Sequence, residues 1–232
     1  MELSVREISR LIDISAVKAA ATKSEVLEVA ELSKKYNFIC AFAMPCFTEY
    51  LVELLADYKS TSIGGAVGFP SGADTTKIKS EATRELIDIG CNEIDMVINV
   101  GALKSGDYDL VSRDIEAVVK CAGNTPVKSI LEIAYLTDEE IIKGAKLAVD
   151  AGDAFVKTGT GWAGKPTTVE TIKLIKEAIG DQALVKAAGG VRTLEDLEAM
   201  YDEGCSRFGI GAASAIKILE AAHKREGRDF GE

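Results

Sequence analysis

Histidine is almost missing from this chain: among 232 residues, only His223 carries an imidazole. A zinc centre built on several histidines is excluded by that count, and a Ser-His-Asp triad is not expected either, since its one imidazole would have to be this ring near the C-terminal end. Cysteine is sparse too. The five thiols, Cys40, Cys46, Cys91, Cys121 and Cys205, show no C-x-x-C spacing and are odd in number. That suits packing residues in a reducing compartment better than a disulfide framework. Positive charge is in deficit, with 27 Lys and Arg against 37 Asp and Glu and a formal net charge of -10. No basic stripe is left for a nucleic acid or an anionic membrane. No apolar run approaches the ~20 residues of a membrane span, and the opening MELSVREISR lacks the apolar segment of a signal peptide. The expected location is the cytoplasm, and the expected partners are small molecules rather than nucleic acid or membrane. No Pro/Gly/Ser-rich linker or charge block divides the chain, so residues 1–232 are expected to form one domain.

What is present is a repeating order. Hydrophobic residues make up 47% and charged residues 28%, enough for a substantial core beneath a soluble surface. Eight short apolar, β-branched runs recur: SRLIDIS from Ser9, FICAFAM from Phe38, IGGAVGF from Ile63, EIDMVINV from Glu93, VKSILEIA from Val127, AFVKTGTG from Ala154, ALVKAAGG from Ala183 and RFGIGAA from Arg207. Between them, stretches such as SEVLEVAELSKKY, TTKIKSEATRELIDIG and TVETIKLIKEAIG place apolar residues three and four apart, as a helix packed on one face requires. Strand and helix thus alternate at intervals of roughly 23 to 34 residues. That length and order predict an α/β fold, a single-domain (β/α)8 barrel of the TIM type, with an open doubly wound sheet as the alternative.

Charges inside such strands are the informative exceptions, because an unpaired buried charge costs several kcal/mol. They are Asp13 in the first run, Asp95 in the fourth, Lys128 and Glu132 in the fifth, Lys157 in the sixth and Lys186 in the seventh. Asp95, Lys157 and Lys186 can point into one barrel interior and meet near its C-terminal end, where barrel enzymes keep their active sites. Desolvation and a second ammonium on the adjacent strand both disfavour the charged form of Lys157, which favours a neutral, nucleophilic amine near neutral pH. Asp95 offsets part of the charge and can relay protons. The alternative is a Lys-Asp-Lys ion network that only holds the barrel together. Lys128 and Glu132 are weaker candidates, one pointing outward or the two pairing with each other.

Glycine-rich segments follow the last three strands: KTGTGWAG, AAGGVRT and GIGAAS. Their backbone amides, with adjacent helix N-termini, suit a phosphate or other anion; the alternative is that they only permit tight turns. Two nucleotide patterns here are misleading. Gly159, Gly161 and Gly164 spell G-x-G-x-x-G without a clearly placed acidic residue about 20 positions on. Gly159 to Lys165 spells a phosphate-loop pattern, but Pro166 stands where a magnesium-binding hydroxyl is needed.

The segments VGFPSGADTTKIK, EIDMVINVGALKSGDYD, KSILEIAYLTDEE, FVKTGTGW and VKAAGGVRT resemble, in order and spacing, the motifs of the deoxyribose-phosphate aldolase family, and the similarity runs from about Glu7 to about Leu219. The resemblance implies a lyase with Lys157 as the Schiff-base lysine, Asp95 as the proton relay and Lys186 as the perturbing lysine. It further implies reversible cleavage of 2-deoxy-D-ribose 5-phosphate to acetaldehyde and D-glyceraldehyde 3-phosphate, in deoxynucleoside breakdown. Neither metal nor cofactor is implied, because the iminium is the electron sink. The amides of Gly161, Gly189 and Gly190 are implied phosphate ligands, with Asp13, Ser15, Thr158 and Gly211 also at the substrate.

The departures cluster around the substrate. Gly211-Ala212 stands where the family carries hydroxyls after strand eight, and Trp162 where a small, polar or basic residue is usual. Phe42-Ala43-Met44-Pro45 replaces Cys-x-Asn-Pro or Cys-x-Tyr-Pro, and Glu132-Ile133 replaces Glu-Thr. Three other functions stay open on this reading: a lysine-dependent aldolase for another or an unphosphorylated aldehyde or ketone, a non-catalytic sugar-phosphate-binding barrel, and a metal-dependent aldolase with an all-oxygen site. A homodimer or higher homo-oligomer is expected, as for barrels of this kind. The polar tail KREGRDFGE either stays disordered or closes over the site.

Overall fold

The computed structural model describes residues 2–228 and 230. Eight strands, β1 (Ile12–Ala16), β2 (Cys40–Ala43), β3 (Ser62–Val67), β4 (Glu93–Val97), β5 (Val127–Ile130), β6 (Phe155–Lys157), β7 (Leu184–Ala188) and β8 (Cys205–Gly211), pair in parallel in that order. The barrel closes where β8 pairs with β1, Ile12 standing opposite Phe208. Around it run α1 (Val5–Ser9), α2 (Lys23–Tyr36), α3 (Pro45–Leu54), α4 (Thr76–Asp88), α5 (Val100–Lys104), α6 (Tyr108–Ala122), α7 (Asp138–Asp150), α8 (Val169–Ile179), α9 (Leu194–Asp202) and α10 (Ala212–Arg225). The predicted (β/α)8 architecture is the one observed, and the open-sheet alternative is excluded by the closure.

Local chemistry explains where the elements start and stop. Thr22 with Glu25 and Thr137 with Glu140 form capping boxes that satisfy the first amides of α2 and α7. A third box, Ser4 with Glu7, starts α1 and carries it through Ser9, so the first strand begins at Ile12 rather than at Ser9 as expected. The fourth run stops at Val97 because the Asn99 side chain caps α5, accepting from the Ala102 amide at 3.0 Å. The fifth stops at Ile130, just before Glu132, which takes a left-handed conformation with φ 57°.

The strands alternate rather than being apolar on both faces. Ile12, Ile14, Ile94, Met96, Val156, Val185, Phe208 and Ile210 belong to the apolar layer shared with helix residues such as Val26, Leu86, Ile115, Ile172 and Ile218. The residues between them face inward, and those are the charged ones. Cys40, Cys91 and Cys205 are buried, as packing residues should be, whereas Cys46 is exposed and Cys121 half-buried. Among the described residues no helix is long and apolar enough to cross a membrane.

The described part of the tail does not reach the C-terminal ends of the strands. α10 leaves β8 there and runs back along the barrel, Arg225 pairs with Glu198 at 2.8 Å, and the Phe230 ring stacks on Tyr36, the last residue of α2, at 5.4 Å. Its described part therefore lies at the N-terminal face. Asp229, Gly231 and Glu232 lie outside the described residues.

Candidate active site

Inward positions at matching register bring the charges together. Asp95 stands beside Lys128, Lys157 beside Lys186, and Lys186 beside Arg207. The Asp95 carboxylate accepts from Lys157 Nζ at 2.8 Å and Lys186 Nζ at 2.6 Å on Oδ2, and from Lys128 Nζ at 2.9 Å on Oδ1. Lys186 also reaches Asp13 at 2.5 Å, Lys128 reaches Glu93 at 2.5 Å, and Arg207 bridges Asp13 at 2.7 Å and Glu93 at 2.8 Å. The interior thus holds three carboxylates, Asp13, Glu93 and Asp95, against four cationic side chains, Lys128, Lys157, Lys186 and Arg207. Charge balances at three against three when Lys157 is a neutral amine.

Burial singles out the same lysine. The side chain of Lys157 is 11% exposed, against 1% for Lys186 and 0% for Lys128. Burial, aided by the ammonium groups of Lys186 and Lys128, outweighs the attraction of Asp95 and draws the Lys157 amine down to about 8. Burial alone would raise Asp95, but Lys128, Lys157 and Lys186 hold its carboxyl well below the usual range. In the same way Lys186 and Arg207 overcome burial and lower Asp13, and three nearby carboxylates overcome it and raise Lys128. Lys128 and Glu132 do not pair. Glu132 instead accepts from the Thr160 hydroxyl and from its amide at 3.3 Å, fixing the loop after β6.

Asp13, Cys40 and Glu93 offer donor atoms within 4.8 Å of one another. That set carries no metal reading, since Arg207, Lys128 and Lys186 already take up the two carboxylates, and burial pushes the Cys40 thiol well up, disfavouring the thiolate a metal needs.

Above the ions lies an open cavity of about 320 Å³ at the C-terminal ends of the strands. Asp95, Lys157, Lys186 and Phe42 border its floor, and Ser15, Gly161, Gly189, Gly190 and Gly211 its wall. The Phe42 ring centroid is 4.4 Å from Lys186 Nζ and 5.8 Å from Lys157 Nζ. Gly161, Gly189 and Gly190 have φ of 84°, 90° and 88°, a region costly to any residue with a Cβ, and Gly161 and Gly189 lie against each other. Gly211 starts α10 with no side chain capping the first amides.

Asp13 also borders the cavity, but its 1% exposure and ion pairs make it a support beneath the floor rather than an exposed ligand. Thr158 needs correction. It is fully buried and bonded to Thr167 at 2.7 Å and to the Ala188 carbonyl at 3.0 Å, so it has no surface for a substrate contact. Of the substituted positions, Phe42, Trp162 and Gly211 meet the cavity, whereas Met44, Ile133 and Ala212 do not.

Five neighbours escaped the sequence reading. Glu93 and Arg207 stood inside the quoted runs, two residues before Asp95 and Gly209, on the inward parity that would have revealed them. Lys18, Arg192 and Ser214 line the rim, in or just after turns that follow β1, β7 and β8. Arg192 has no ion pair among the described residues.

A profile of the DeoC/LacD family of aldolases matches residues 15–221. The chain is 45% identical over 217 residues to a deoxyribose-phosphate aldolase of Sinorhizobium medicae, covering 94% of this chain and 88% of the relative. It is 41% identical over 221 residues to one from Klebsiella pneumoniae subsp. pneumoniae, covering 94% and 89%. Among solved structures it superposes on an aldolase designated QR15 with a TM-score of 0.88 at 31% identity, covering 97% and 98%. The tetrameric deoxyribose phosphate aldolase of Aeropyrum pernix superposes with a TM-score of 0.86 at 26% identity, covering 95% and 93%. With the profile spanning nearly the whole barrel and both sequence and fold agreeing, the chain belongs to the DeoC/LacD aldolase family.

Proposed function

We propose that this chain is a deoxyribose-phosphate aldolase working through an imine at Lys157. The observation that carries the reading is the most accessible of the three lysines in the interior ion cluster, held near 8 and hydrogen-bonded to Asp95 at the floor of a cavity whose wall is built largely from glycines. The neutral Lys157 nitrogen adds to the aldehyde carbon of open-chain 2-deoxyribose 5-phosphate, and loss of water leaves an iminium. The hydroxyl on the third carbon gives up its proton to the Asp95 relay, which later returns one to the enamine carbon; the bond between carbons two and three breaks, and the electron pair moves into the iminium to form an enamine. D-glyceraldehyde 3-phosphate departs. Protonation of the enamine carbon and hydrolysis of the new iminium release acetaldehyde and return the Lys157 amine. Asp95, between Lys157 and Lys186 at 2.8 and 2.6 Å, is placed to carry protons on and off the nitrogen and the departing water.

The phosphate belongs at Gly161, Gly189, Gly190 and Gly211, where left-handed glycines leave the backbone uncovered and α10 begins uncapped. Arg192 and Lys18 supply positive charge, and Ser214 supplies a hydroxyl that Gly211 and Ala212 lack. A cytoplasmic location agrees with five unpaired thiols, and the tetrameric relative from Aeropyrum pernix supports a homo-oligomer.

Borohydride trapping with acetaldehyde, with 2-deoxyribose 5-phosphate and with unphosphorylated deoxyribose, followed by peptide mass mapping, tests the reading. Acetaldehyde and the phosphorylated sugar are expected to leave an ethyl adduct on Lys157 that Lys157→Ala abolishes. An adduct from acetaldehyde alone would keep the imine chemistry and move the acceptor elsewhere. No adduct at any lysine would overturn the proposal.

A further inference from the structure

Resting on that reading, we propose that Trp162 is a specificity-determining strap across the barrel mouth, closing one side of it to branched acceptors. Trp162 sits in the loop after β6 and is 43% exposed, yet it is held at three points. Its amide donates to Thr160 Oγ1 at 3.0 Å, and Thr160 is itself fixed by Glu132. Its indole N–H donates to the Val17 carbonyl, in the loop after β1, at 2.9 Å. Its ring meets Phe69, in the loop after β3, edge to face at 5.7 Å and 90°.

In the order β1 to β8 around the closed barrel, β6 lies opposite β2, and β1 and β3 flank β2. One side chain therefore reaches across the mouth from the sixth loop to the first and third, above the inward Phe42 of β2. An acceptor with its carbonyl at the enamine carbon carried by Lys157 can extend only toward Gly189, Arg192 and Ser214 after β7 and β8. Substituents directed toward β2 meet the indole above and the Phe42 ring below.

Phe42 is locked in turn: a Cβ on Gly64 would stand 2.0 to 2.6 Å from its ring carbons, so β3 carries glycine where that ring lies. The strap, by contrast, lies in a loop, and its side chain is tied by only one hydrogen bond and one ring contact, so it is the easier of the two to release.

The test compares Trp162→Ala and Trp162→Phe with the unaltered enzyme in the addition of acetaldehyde to D-glyceraldehyde 3-phosphate and to isobutyraldehyde, a branched, unphosphorylated acceptor. Trp162→Ala is expected to shift the ratio of kcat/KM values toward isobutyraldehyde by about tenfold. Trp162→Phe keeps a ring against Phe69 but loses the bond to Val17, and is expected to shift it less. Both variants should still give the acetaldehyde imine at Lys157. An unchanged ratio in Trp162→Ala with the imine intact would overturn the strap alone. Absence of the imine in the unaltered enzyme would overturn the reading beneath it.

Discussion

At the scale of single residues, the site turns on Lys157 being the fourth cation among three carboxylates. Its neighbours are locked in ion pairs, so the proton that leaves most readily is its own. Because the Lys157 amine is held near 8 by burial and the adjacent ammonium groups, the free amine fraction falls about tenfold per pH unit below that point. Imine formation with acetaldehyde, followed by trapping, should rise with pH through about 8 and then level. Asp95 favours the charged form, so Asp95→Asn should move that midpoint lower while turnover falls by about a hundredfold or more. Equal loss of imine and turnover would mean that Asp95 chiefly positions the lysine. Lys157, Asp95 and Lys186 were legible in the sequence because a charge in an otherwise apolar strand has few places to go. Arg207 and Glu93 were not singled out, since both stand at the edge of their runs and each looks solvent-facing until the barrel closes.

At the scale of elements, the strand that carries Asp95 is anchored from outside the barrel. Lys79 on α4 is completely buried, donates to the Val97 carbonyl at the end of β4 at 2.8 Å and pairs with Asp114 on α6. The pair ties two helices to a strand end two residues beyond Asp95. Lys79→Met would leave the Asp114 carboxylate buried without its cation and should destabilise the fold by about 3 to 5 kcal/mol in denaturant titrations. Replacing Asp114 by Leu in the same chain should restore much of that loss, since the uncompensated charge is then gone. The helices α2, α4 and α8 were readable from three- and four-residue apolar spacing. The short α1 and α5 were not, because a capping box and an Asn cap set them rather than any periodicity.

At the scale of the whole molecule, the two ends of the barrel handle buried acids differently. Near the C-terminal end every carboxylate of the cluster has a cation. At the N-terminal end Asp153, in the turn before β6, is 5% exposed and has no cation paired with it among the described residues, only the weaker polar groups of Ser129 beside it. Burial pushes it up to about 7 from an ordinary 3.8. The folded state then keeps a proton that the unfolded chain loses between pH ~4 and ~7, so this group's stabilisation is complete below that interval and fades as pH rises through it. Urea denaturation across the interval should show Asp153→Asn less sensitive to pH than the unaltered protein and more stable at neutral pH, by up to about 4 kcal/mol. A variant with an unchanged pH slope would show that Asp153 ionises normally.

The sequence by itself determined the barrel, through alternating strand and helix periods, and the interior trio of Lys157, Asp95 and Lys186 proposed to react, through charges that an apolar strand cannot hide. Those signals are local or periodic, so they survive without coordinates. Only the tertiary structure decided that Thr158 is a buried support, that Glu132 shapes a loop instead of pairing with Lys128, and that the described tail lies opposite the site. It also brought Arg207 and Glu93 into the ion cluster with the lysines, and Lys18, Arg192 and Trp162 to the cavity above them. Each of these outcomes depends on which residues from distant strands and loops meet once the sheet closes on itself, and that closure is a property of all eight strands together.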